Sequence, residues 1–138
     1  MTAKSEPQWN VPSDRYYDKH HQWYQMEDEL VTVGITDYTQ DTAGDIVYVS
    51  VPAVGAKVKS GQPIGSLESG KWVGQIYAPC DGVVVEANEA IEQTPTLLNE
   101  APYTNGWVVK IRPSQAVSSE QFMSAKQYRD QLRVDESA

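Results

Sequence analysis

The sequence of 138 residues has one cysteine, Cys80, which excludes an internal disulfide framework. It is short of basic residues, with 11 Lys and Arg against 19 Asp and Glu and a formal net charge of −8. That argues against nucleic-acid binding, which needs a basic face. It suits a protein that docks onto positively charged surfaces. No apolar stretch approaches the length of a membrane span. Met1 to Asn10 carries Lys4 with no apolar run behind it, so no signal peptide is expected and a cytoplasmic location is the default. No glycine-rich phosphate loop follows a strand. What remains is the composition of an ordinary globule, long enough for one domain with a hydrophobic core.

Met1 to about Ser13 is polar, with Pro7 and Pro12, and reads as a loose tail pinned by Trp9. Trp23 to Met26 and Leu30 to Ile35 read as short strands joined by the acidic turn Glu27-Asp28-Glu29. Thr36 is placed to cap a short helix before Ala43. Asp45 to Val51 is rich in β-branched residues and closed by Pro52. Gly55 to Gly61 reads as turns around a very short strand, and Pro63 to Glu68 as a longer strand with Pro63 suited to its first position. Ser69-Gly70 supplies a turn, with Gly70 free to take positive φ. Lys71 to Tyr77, Val83 to Glu86 and Trp107 to Ile111 complete the series. Turn signals at this density indicate a β-sandwich or barrel. Ser118 and Gln121 form a capping-box pattern. Phe122, Ala125, Tyr128 and Leu132 then fall at helical spacing, which predicts one C-terminal amphipathic helix packed on the sandwich.

The feature that could carry chemistry is Lys71, beside a glycine turn between two strands. A lysine at a hairpin tip is exposed and rigidly held, as an enzyme that attaches a carboxylic acid by an amide bond requires. Taken alone it reads as a solvated turn residue, because most surface lysines have no covalent role. Other constellations are weaker. His20 and His21 are adjacent, so on a strand they would face opposite ways and make poor joint metal ligands. No pair of carboxylates is placed in a cleft for acid–base work. Cys80, in the turn Pro79-Cys80-Asp81-Gly82, could exchange with a thiol, but nothing near it would lower its pKa.

Across roughly residues 16–130 the chain resembles the H protein of the glycine cleavage system. The resemblance is carried by Tyr17-Asp18-Lys19-His20-His21-Gln22-Trp23, Val33 to Tyr38, Gly44 to Val49, Gly65 to Lys71, Ile76 to Gly82, and Asn99 to Tyr103 through Gly106-Trp107, all in the family's order. It implies a mainly β fold, a lipoyl-domain-like β-sandwich with a C-terminal α-helix. It implies lipoate attached covalently to Lys71, with Glu68 guiding the modifying enzymes and His21 belonging to a structural motif with Trp23. The finished arm would reach roughly 14 Å from the lysine Cα. The protein would be a carrier, not an enzyme, with the chemistry supplied by the cofactor. The expected layout is a tail over 1–14, one carrier domain over 15–134 and a tail over 135–138.

The sequence departs from that family at the lysine. The usual run is Glu-Ser-Val-Lys-Ala-Val-Ser followed by an acidic residue. Here it is Glu68-Ser69-Gly70-Lys71-Trp72-Val73-Gly74-Gln75. These departures look like the lipoate-binding proteins of the sulfur-oxidising heterodisulfide-reductase-like system, themselves relatives of the H protein. On that reading the arm carries sulfur-bound intermediates, and the partners are lipoate ligase or lipoyl-assembly enzymes and a heterodisulfide-reductase-like complex. The alternative is the glycine-cleavage carrier, working with glycine decarboxylase, aminomethyltransferase and dihydrolipoamide dehydrogenase. Gly70 and Gly74 would open the surface to a partner's backbone. Trp72 would lie over the arm, meet a partner or point inward. These changes predict poor work as the glycine-cleavage carrier. A biotin carrier ranks low, since Lys71 lacks flanking methionines. An unmodified β-sandwich interaction module is the third reading, and an intact mass separates the three.

Overall fold

The computed structural model describes residues 9–137. Among these residues, nine strands form two sheets: β1 (Tyr16–Tyr17), β2 (Gln22–Glu27), β3 (Leu30–Ile35), β4 (Ile46–Ser50), β5 (Lys57–Val58), β6 (Pro63–Ser69), β7 (Val73–Tyr77), β8 (Gly82–Ala87) and β9 (Val109–Pro113). The larger sheet runs β1-β2-β3-β9-β8-β5 and the smaller β4-β6-β7, with every pairing antiparallel. Four helices accompany them: α1 (Asp37–Ala43), α2 (Glu89–Gln93), α3 (Leu97–Glu100) and α4 (Ala125–Ser137). The expected mainly β sandwich with a C-terminal helix is the fold observed.

The core lies between the sheets. Val33, Val84, Val109 and Ile111 of the large sheet meet Ile46, Val49, Leu67 and Ile76 of the small one, all at 3% exposure or less. Each such side chain removed from water contributes about 1.5–3 kcal/mol. A second cluster packs α4 against the start of the chain, through Val11, Tyr17, Trp23, Ala125, Tyr128 and Leu132. Tyr17 and Tyr128 stack with ring centroids 4.7 Å apart. Trp9 bonds Asp41 Oδ2 at 2.8 Å and meets Tyr38 edge to face, as its pinning role required. Of the loose tail expected over residues 1–14, residues 1–8 lie outside the described residues, and the remainder is not loose. Val11 is buried in this second cluster, its carbonyl accepts from Arg129 Nη1 at 3.1 Å, and Asn10 N donates to Asp37 Oδ2 at 2.8 Å.

Local chemistry explains the element ends. Asp28 and Glu29 both take left-handed backbone, as a two-residue hairpin turn between β2 and β3 demands. Thr36 caps α1 by accepting from Thr39 N at 3.3 Å. The C-terminal capping box is displaced from the expected Ser118. Ser118 caps only a 3₁₀ turn over Ser119–Gln121. The reciprocal box belongs to Ser124 and Gln127: Gln127 N donates to Ser124 Oγ at 3.2 Å, and Ser124 N donates to Gln127 Oε1 at 2.8 Å. Phe122 therefore precedes α4, and α4 continues to Ser137 through residues 135–137 that were expected to form a tail. The helices α2 and α3 were not predicted. Each is five residues or fewer, too short for helical periodicity to register.

The two sheets are tied by Gln22, which is 1% exposed. Its Nε2 donates to Tyr77 O and to Tyr24 OH, each at 2.9 Å, while its Oε1 accepts from Tyr77 N at 2.8 Å. On the smaller sheet, β4 is an edge strand. Side chains from α2 and α3 reach backbone N–H groups at its two ends: Asn99 Oδ1 accepts from Ile46 N at 2.9 Å and Glu92 Oε2 from Val51 N at 3.3 Å. No helix among the described residues is long and apolar enough to cross a membrane.

Candidate functional site

The β6–β7 ladder ends at the pair Glu68 and Val73, and Ser69 N donates to Trp72 O at 2.8 Å. That closes a hairpin whose two tip residues are Gly70 and Lys71, both exposed. The tip is anchored by one hydroxyl. Ser69 Oγ donates to Ala43 O at 2.6 Å and accepts from Lys71 N at 3.2 Å. The hairpin is thereby fastened to the last residue of α1.

The Lys71 side chain runs across Gly44. A Cβ built on Gly44 would lie 3.1 Å from Lys71 Cε and within 3.9 Å of Nζ and Cδ. Gly44 has φ of 82°, a conformation that disfavours a side chain in any case. Asn99 fixes this floor: its Nδ2 donates to Gly44 O at 2.9 Å and to Gln40 Oε1 at 3.2 Å, while its Oδ1 holds Ile46 N. Among the described residues, the Lys71 ammonium has no hydrogen bond or ion pair. An exposed amine on a braced tip fits a group attached end-on by an amide.

The other predicted residues divide. Glu68 is exposed, three residues before the lysine, and stands directly across the ladders from Tyr48 and Val73. Gly70 does not take the left-handed conformation expected of it, and a Cβ there would meet open space; the turn closes without positive φ. Trp72 is half-buried and packs against the main core. Its indole covers Gly74, where a Cβ would fall 2.1 Å from Cη2. Of the orientations open to Trp72, the structure takes the inward one. Gly74 is thus a seat for the ring, not an opening for a partner's backbone.

His20 and His21 do not converge. They occupy the turn before β2, not a strand. His20 stacks on Tyr77 at 4.1 Å, and His21 Nδ1 lies 2.8 Å from Tyr128 OH. No cluster of metal-ligating side chains occurs among the described residues. Cys80 is buried, and burial, with Asp81 adding to it, pushes its thiol up to about 11. It lines an open groove of about 1200 Å³ with Asp18, His20, Asp81 and Phe122, at the far end of β7 from Lys71.

Sequence reasoning missed Ser69, Gly44 and Asn99 as supports of the tip, and Val47, Tyr48 and Val73 around it. The irregularity responsible for the outward pair Val47-Tyr48 is a bulge in β4 between Ile46 and Tyr48, which leaves no mark in a run of β-branched residues.

The sequence pattern of the Glycine cleavage H-protein family matches residues 15–135. The chain belongs to that family. It is 42% identical over 126 residues to the glycine cleavage system H protein of Bacillus licheniformis, covering 91% of this chain and 99% of that one. It is likewise 42% identical over 126 residues to that of Thermus thermophilus, covering 91% and 98%. A crystal structure of a glycine cleavage system H protein from Mycobacterium marinum superposes with a TM-score of 0.82 at 32% identity, covering 89% of this chain and 99% of that one. H proteins of this family hold lipoate covalently on a lysine, so the chain is a lipoyl carrier and a component of a multienzyme system, not an enzyme by itself.

Proposed function

We propose that the chain is the lipoyl carrier of a glycine cleavage system, with the cofactor on Lys71. The observation that carries the assignment of the lysine is its place on a two-residue tip, exposed, without a charge partner, and braced through Ser69 to α1. The carrier unit is taken as a single domain that includes the whole of α4, and its place of work as the cytoplasm. When bound, the cofactor supplies a dithiolane whose sulfurs accept and release a substrate fragment with two electrons. The chain's own residues hold its attachment point. Ser69 orients the Lys71 main chain, and Gly44, positioned by Asn99, leaves a smooth floor beneath the lysine's methylenes. Partners in this reading are lipoate ligase, glycine decarboxylase, aminomethyltransferase and dihydrolipoamide dehydrogenase.

The sulfur-oxidation reading rested on Trp72, Gly70 and Gly74. The inward indole gives two of the three a packing account that requires no special partner: a large ring at 72 has displaced the side chain at 74. The Bacillus licheniformis and Thermus thermophilus relatives, both 42% identical, are glycine cleavage H proteins, which supports the alternative over the heterodisulfide-reductase-like complex. The expectation of poor work in glycine cleavage is accordingly replaced by its opposite.

The test is to lipoylate the protein, map the modified peptide by mass spectrometry and supply the carrier to purified glycine decarboxylase. Glycine-dependent carbon dioxide exchange comparable with a genuine H protein is expected, and Lys71→Arg should abolish both modification and exchange. Exchange at background level from a fully lipoylated protein would reject glycine cleavage. A lipoyl group that survives Lys71→Arg would reject the site.

A further inference from the structure

Among the described residues, four large apolar side chains stand exposed: Val47 at 64%, Tyr48 at 52%, Val73 at 68% and Val54 at 65%. Three of them surround the root of the Lys71 hairpin. Tyr48, Glu68 and Val73 face one another directly across β4, β6 and β7. With strands about 4.8 Å apart, that row spans about 10 Å. The bulge between Ile46 and Tyr48 breaks the alternation of β4, so Val47 and Tyr48 are both exposed, between buried Ile46 and Val49. Bulges commonly re-aim side chains at working surfaces. A contiguous apolar patch beside a polar centre marks a site of association.

We propose that Val47, Tyr48 and Val73, with Glu68 between them, are the docking face for the enzyme that forms the amide at Lys71. The inference rests on the reading of Lys71 as the attachment site. Its occupant follows from reach. An extended lysine carries Nζ only about 6 Å from its Cα. An enzyme acting on that nitrogen must close over the hairpin root, where Val73 and Glu68 lie two and three residues from the lysine. Enzymes that use the finished arm meet it about 14 Å from the Cα and are free to dock elsewhere. In the covered step Nζ, having given up a proton, forms a bond to the carboxyl carbon of an acyl–phosphate mixed anhydride. The bond from that carbon to the phosphate oxygen breaks, and the phosphate leaves with the electron pair. Covering Glu68 removes a carboxylate from water, which is tolerated only if a donor meets it. The complementary surface is therefore an apolar floor with an arginine or lysine opposite Glu68.

Lipoate–protein ligase, lipoate and ATP provide the test, with initial rates of mass gain measured against carrier concentration. The triple variant V47S/Y48S/V73S should raise KM by about tenfold or more, the scale expected when anchoring side chains are lost. Its kcat should stay within about twofold, because only binding is removed. Glu68→Arg should also raise KM, whereas Val54→Ser, equally exposed but beyond the other end of β4, should leave both constants unchanged. Unmodifiable K71R should compete with the wild type for the ligase, and adding the triple change should abolish the competition. Circular dichroism and thermal midpoints verify the fold, and Y48S and V73S made singly serve if the triple variant does not fold. Unchanged kcat/KM in folded variants, with the wild type modified at Lys71, overturns the docking face alone. Modification of K71R overturns the reading beneath it.

Discussion

The indole of Trp72 fills the space that a side chain on Gly74 would enter: a Cβ there would sit 2.1 Å from Cη2 and 2.3 Å from Cζ2. The usual family run has a small residue at the first position and serine at the second, so the bulk has moved from one to the other. Gly74→Val should cost about 1–3 kcal/mol by forcing the ring off its seat. Trp72→Ala should also destabilise, while W72A/G74S should recover most of that loss, giving a coupling of about 1 kcal/mol or more in a denaturation cycle. Additive costs would mean that the two positions are independent.

Gln22 acts as donor and acceptor toward the Tyr77 main chain, a combination a carboxylate cannot make. Gln22→Glu leaves Tyr77 O facing an oxygen and is expected to lose about 3 kcal/mol at neutral pH. The sign with pH is fixed. A glutamic acid buried there favours its neutral form, so its folded pKa rises above the ordinary value near 4.3. The deficit relative to wild type should be small below about pH 4 and grow as pH rises above it. Urea midpoints of both proteins across that range provide the measurement.

Cys80 should be chemically quiet. Burial raises its thiol from 9.0 to about 11, so its thiolate fraction near neutrality is about a hundredfold below that of an unperturbed thiol. Iodoacetamide should alkylate the native protein correspondingly slowly and the urea-unfolded protein at the ordinary rate. Rapid native alkylation would show the thiol to be activated and reopen a redox role.

Stability should fall on the alkaline side. Burial raises the hydroxyls of Tyr17, Tyr24, Tyr103 and Tyr128 above the ordinary 10.0, as it raises Cys80. Between the unfolded and folded pKa values the unfolded chain holds fewer protons, so stability decreases with rising pH. Denaturation midpoints should hold to about pH 9 and then decline, and the tyrosinate absorbance of those four tyrosines should appear together with loss of structure.

Ser124→Ala should cost α4 about 1 kcal/mol, and Ser118→Ala less, since Ser118 caps only the short turn ahead of it. Thermal midpoints distinguish the two. A larger loss at Ser118 than at Ser124 would place the start of the helix where the sequence alone had put it.

The strands, the Asp28-Glu29 turn and the exposed lysine were legible because alternation, β-branching and turn chemistry act over a few residues. The helix start was misplaced because Ser118-x-x-Gln121 and Ser124-x-x-Gln127 carry the same local signal. Only the packing of Ala125, Tyr128 and Leu132 on Tyr17 and Trp23 chooses between them. Asn99 was visible as part of a family motif, but not as the brace of Gly44, which lies 55 residues away along the chain. Trp72 was ambiguous because its direction depends on whether the core has room for the ring, and that room comes from Gly74.

The bulge in β4 also bears on colloidal behaviour. An edge strand that exposes valine and tyrosine is a template on which a second chain could extend the sheet. Here the regular spacing of free main-chain groups is interrupted at Val47, and N–H groups at both ends are already taken by Asn99 and Glu92. An incoming strand would find neither a regular ladder nor vacant donors at its ends. The carrier can thus keep an adhesive face for side-chain contact while denying its backbone to sheet-to-sheet aggregation. Straightening the strand by deleting Val47 would put that protection at risk.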